Sequence, residues 1–132
     1  MDAFAVFLFH AHSGLRYLVL LVGVASFLYS LLAAVTRRPW DRGGRVLLIT
    51  FVAFVDIQVL LGLVLVFFWP FYPAMWGHIT TMVAAAAVAH FTNIYNRRRP
   101  PESISHMPVA LGVAAALILI VAGTAAIGRP IL

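Results

Sequence analysis

Cysteine is absent from all 132 residues, which excludes disulfides, iron–sulfur ligation, thiolate nucleophiles and covalent attachment of a c-type haem. Lysine is absent as well, so all nine basic residues are Arg. Acidic residues number four, Asp2, Asp41, Asp56 and Glu102. Charged residues make up 10% of the chain and hydrophobic ones 64%. A water-soluble domain of this length cannot cover its surface with so little charge. With a mean hydropathy of +1.03, the composition predicts an integral membrane protein, all α-helical, forming one transmembrane domain over residues 1–132. The formal charge of +5 does not point to nucleic acid, because the Arg residues cluster beside apolar runs, where they act as topology signals. The start of the chain carries Asp2 rather than a basic leader region, so the first apolar run is expected to be retained.

Four spans are predicted, at about residues 5–35, 46–68, 77–95 and 107–126. The first apolar run begins at Ala3. As one helix reaching Val35 it would be about 50 Å long, more than a hydrocarbon core of about 30 Å needs. Its first turns, with His10 and His12, are therefore expected in or near the headgroup layer. Seven Arg fall in two linkers: Arg37, Arg38, Arg42 and Arg45 after the first span, and Arg97, Arg98 and Arg99 after the third. The linker after the second span has none and is aromatic, from Trp69 to Trp76. The positive-inside rule then places the Arg linkers in the cytoplasm and the aromatic linker and both termini outside. Short linkers favour an up-down-up-down four-helix bundle. Small residues at Ala84–Ala89, Gly112 and Ala114–Ala116 allow the last two helices to approach closely.

Against this apolar background the polar residues stand out, since ionisable groups at membrane depth are costly. Orientation sorts the five histidines into an outer set, His10, His12 and His78, and an inner set, His90 and His106. His78 and His90 are about 18 Å apart along one helix and cannot share an iron atom. Two imidazoles that bind one haem must come from different helices at similar depth. His12 with His78 satisfies that condition, while His106 is expected in a loop and at the interface. Arg16 follows His12 by one turn on the same face, where it can offset a haem propionate. The alternative is structural: Arg16 snorkels, His12 bonds within the bundle, and the pair lines a quinone pocket.

Asp56 falls close to mid-bilayer in the second span, so it must be protonated or partnered. Its expected partner is a Thr or Asn of another helix, or an Arg of a partner chain, because His90 is offset by about 8 Å when depth is counted along the helix axes. Gln58 faces a different neighbour from Asp56. Thr80 and Thr81 are expected to bond back to their own helix. Met75 and Met82 are expected to pack rather than ligate.

Three stretches carry a resemblance: His12-Ser13-Gly14-Leu15-Arg16-Tyr17, Asp56-Ile57-Gln58-Val59-Leu60-Leu61-Gly62-Leu63, and His78-Ile79-Thr80-Thr81-Met82 continuing to Ala89-His90. Together they resemble a small four-span bacterial membrane family loosely described as cytochrome-b-like. The resemblance implies a multi-pass protein of the bacterial inner membrane, a b-type haem and a place beside a larger respiratory or photosynthetic redox complex. The family's pattern puts an acidic residue before the third-span histidine, and here that position is Gly77. His10 and His106 lie outside these stretches and receive no role from them. The competing expectation is a haem-free accessory subunit that packs against larger redox subunits.

Overall fold

Asp2 and Asp41 each start a helix by the same device, a carboxylate that accepts a backbone N–H three residues on: Ala5 at 2.7 Å and Gly44 at 2.9 Å. Such caps satisfy donors that the first helical turn leaves open. The computed structural model describes residues 2–129 and 131, and its main elements are four helices, α1 (Ala3–Val35), α2 (Arg42–Val66), α3 (Met75–Arg98) and α4 (Met107–Ala126). A short 3-10 turn, Pro101–Ser103, lies between the last two.

The helix ends follow from local chemistry. α1 closes with Arg37 at φ +55°, and the Arg38 and Arg37 amides turn back to the Ala33 and Ala34 carbonyls. This is a Schellman arrangement with Arg where Gly is usual. α4 closes in the same way around Gly128 at φ +67°, with the Arg129 amide donating to the Thr124 carbonyl. α3 stops because Pro100 forces Arg99 into extended backbone. α2 begins four residues before the expected position. Gly43 and Gly44, read from sequence as part of a turn, instead lie inside the helix beneath the Tyr29 and His106 side chains, a tertiary demand that outweighs local propensity.

α1, α2 and α4 are each long and apolar enough to cross a membrane. α3 covers the predicted third span and is 24 residues long, but its imidazole, hydroxyl and amide groups leave it less apolar than the other three. α1 packs on α2 and α4, and α3 packs on the same two helices. Contacts between α1 and α2 run in opposite senses: Gly62 lies by His12, Phe51 by Gly23 and Gly43 by Tyr29. The centre is filled by Phe51, Leu48, Val109 and Val113. α3 and α4 approach closely, as their small residues predict: Thr92 sits on Gly112, Thr81 sits on Gly123, and Ala85, Ala89 and Ala116 are buried. Large apolar side chains such as Leu21, Phe67, Phe91 and Ile118 face outward, the reverse of a water-soluble surface.

Candidate functional site

α1 and α3 stand diagonally across the bundle, and at the Trp69 end the space between them is hollow. The cavity, about 310 Å³, lies within the range of small-molecule sites. His12 from α1 and His78 from α3 both line it. Their ring centroids are 6.3 Å apart and their planes cross at 82°. Two imidazoles binding one metal from opposite sides, each with a nitrogen about 2 Å from it, hold their centroids about 6 Å apart. The observed spacing is compatible with that geometry.

Each ring is held by its surroundings. His78 Nδ1 lies 2.9 Å from the Gly123 carbonyl oxygen. A carbonyl only accepts, so in the neutral ring Nδ1 carries the hydrogen and Nε2 keeps its lone pair, the pattern typical of metal-binding histidines. The His12 ring rests on Gly62, where an added Cβ would come within 2.9 Å of Cε1. One turn before Gly62, Gln58 donates from Nε2 to the His12 backbone carbonyl at 2.8 Å, fixing α2 against α1 at the depth of the ring. His12 Nδ1 and Gln58 Oε1 are buried and have no hydrogen-bond partner among the described residues. Both residues line the cavity, where a ligand or water can complete their hydrogen bonding.

The lining includes Arg16 and Arg129 and no acidic residue. Arg16 is where the sequence placed it, one turn from His12, with its guanidinium 3.0 Å from the Tyr17 hydroxyl. Arg129 was not anticipated. The left-handed Gly128 turns the chain after α4 so that the Arg129 guanidinium lies 5.1 Å above the Phe9 ring, and Phe9 stacks on Trp69 at 4.5 Å. The available signal was the Gly-Arg pair just after the last apolar run, a helix-terminating pattern. Thr80 and Thr81 bond back to the Trp76 and Gly77 carbonyls, as expected, and Met75 and Met82 line the cavity.

Two expectations are corrected. Asp56 pairs with His90, at 2.7 and 2.9 Å from Nε2, and not with a Thr or Asn of the chain. Counting depth along the axes overstated their separation, because side chains lean toward the start of their helix. α2 and α3 run in opposite senses, so the two side chains lean toward each other. Gln58 does face elsewhere, as anticipated. His106, expected at the interface, is fully buried. Its Nε2 donates to the Pro39 carbonyl at 3.1 Å, its ring lies 4.9 Å from Trp40 and 5.8 Å from Tyr29, and Asp41 Oδ1 stands 3.9 Å away. Tyr29 in turn donates to Asp41 at 2.6 Å. His10 is exposed on the first turns of α1.

Among the described residues no three His, Asp or Glu side chains gather to hold a metal ion; the hollow offers a pair of imidazoles instead. No family model, curated protein or solved structure matches the chain.

Proposed function

We propose that the chain is a small membrane subunit of an electron-transfer complex that holds a b-type haem between His12 and His78. The observation that carries this reading is the imidazole pair that lines one hollow, with His78 Nδ1 engaged by the Gly123 carbonyl so that Nε2 keeps its lone pair. A haem bound there would supply one-electron transfer. The chain's own residues would do the rest. Gly62 leaves room for the His12 ring, Gln58 anchors the backbone beneath it, and Arg16 and Arg129 offset the two propionates. Phe9 and Trp69 shield the cavity from water.

In this reading the four helices cross the bacterial inner membrane up and down. The Arg linkers lie in the cytoplasm, and the aromatic linker, both termini and the haem edge lie outside. A larger redox complex in the same membrane is the electron partner. A quinone in contact with that complex is its diffusible counterpart.

The test is a visible spectrum of the chain purified from haem-sufficient cells. A reduced-minus-oxidised b-type band is expected, and it should disappear in both His12→Ala and His78→Ala while the variants remain folded. A wild-type chain without such a band, recovered with its partner complex intact, refutes the haem reading and leaves the haem-free accessory subunit.

A further inference from the structure

The Asp56–His90 pair sits on the outside of the bundle. Each side chain is 48% exposed, and neither borders the cavity between His12 and His78. Both lie well inside their helices, ten residues before the end of α2 and fifteen after the start of α3 (66 − 56 and 90 − 75). Around them the surface is apolar: Ile57 and Leu60 on α2, Phe91 and Ile94 on α3. A carboxylate–imidazole pair facing hydrocarbon is the costliest surface a membrane helix can present, and such groups belong against protein.

We infer that this face of α2 and α3 is where a second copy of the same chain packs in the membrane. The occupant follows from the chemistry of the pair. The internal bond uses one ring nitrogen of His90 and leaves the other nitrogen, with the unused carboxylate lone pairs, to be satisfied from outside the chain. The patch therefore carries a donor and an acceptor side by side, and a two-fold axis needs such self-complementarity. Related by that axis, Asp56 of one copy lies against His90 of the other, so that each imidazole ring bridges two carboxyl groups. One turn before each member of the pair is an exposed small residue, Ala53 on α2 and Ala87 on α3, which lets helix backbones approach closely enough for the pairs to meet. This inference rests on the membrane-spanning reading and is independent of haem.

The absence of cysteine makes the test clean. Single Ala53→Cys and Ala87→Cys variants, with the Asp56–His90 pair intact, are treated in native membranes with short thiol-to-thiol crosslinkers. Ile118→Cys, on the exposed side of α4, serves as the control. A species of twice the chain's mass is expected from both α2 and α3 sites and not from Ile118→Cys. Adding Asp56→Ala or His90→Ala should lower the crosslinked fraction about 3- to 10-fold, the range for one interhelical hydrogen bond in a membrane. Equal crosslinking at all three sites, or crosslinks only to other proteins, overturns the inference. So does single-step photobleaching of the labelled wild-type chain in dilute lipid vesicles, where two steps are expected. Loss of the haem band leaves these readouts unchanged, so the two readings fail separately.

Discussion

At each end of the bundle an imidazole is pressed against a glycine of α2, and the two rings are held in different ways. At the Trp40 end His106 lies on Gly44, and at the Trp69 end His12 lies on Gly62. In both cases an added Cβ would stand 2.9 Å from the imidazole Cε1. His106 is fully buried, lies against Trp40 and Tyr29 and is bonded to Pro39 through Nε2. His12 borders the hollow between α1 and α3, and both rings keep one unsatisfied nitrogen. The same side chain thus serves as a structural fastener where it is walled in and as a candidate ligand where the wall is missing. The identity of the residue does not decide between these roles. What is packed around it does.

The largest effect should come from emptying the filled end. His106→Ala removes a fully buried ring together with its bond to Pro39, and the expected cost is about 2–4 kcal/mol from the cavity and the lost hydrogen bond. Titrating unfolding in mixed detergent micelles measures it. His12→Ala and His78→Ala remove rings that already border empty space, so each should cost less than about 1.5 kcal/mol. If His12→Ala proves as costly as His106→Ala, the hollow is a packed core and the contrast between the two ends collapses.

The matched glycines give a finer test. Gly44→Ala drives a methyl group into two rings at once, His106 and Trp40, and overpacking of this kind costs about 1–3 kcal/mol. Gly62→Ala pushes on a ring that can swing into the cavity, and the expected cost is under about 1 kcal/mol. In the haem reading that swing moves a residue that would hold the group. Gly62→Ala should therefore shift or weaken the b-type band while barely changing the unfolding midpoint, and Gly44→Ala should do the opposite. Equal stability losses, with the spectrum untouched by Gly62→Ala, break the comparison.

How much of this was legible in the sequence depends on the kind of information each feature uses. Hydropathy is local, so the helices were visible in advance, and α4 falls where it was predicted, at 107–126. His12 facing His78 was legible because depth along a span can be counted and both fall near the same end. The Asp56–His90 bond was missed because counting along axes ignores the lean of side chains on oppositely directed helices. His106 was missed for a different reason. Its burial depends on Pro39 and Trp40, 67 and 66 residues away in the chain (106 − 39 and 106 − 40), and no periodicity links a linker residue to a distant linker. Gly43 and Gly44 were read as a turn because glycine pairs usually are, whereas here they make room for two rings.

The smallest effect separates the two ends by pH. Asp41 caps α2 through Gly44 and accepts from the Tyr29 hydroxyl, and these bonds, Tyr29 first and the Gly44 amide second, hold its carboxyl below the ordinary carboxylate range. A carboxyl whose folded value lies below its unfolded one, about 3.9, stabilises the fold fully above that unfolded value. The contribution drains away as pH falls through the lowered folded value. The fastener at the Trp40 end should therefore loosen only below about pH 4, and by no more than about 1 kcal/mol, because Asp41 is partly exposed and screened. Asp41→Asn keeps a capping side chain but has no charge to lose. Its unfolding midpoint should start slightly below wild type at pH 6 and fall less between pH 5 and pH 3. If the variant and the wild type show the same acid slope, the Asp41 charge contributes nothing to that end, and His106 is held by its bond to Pro39 and by packing.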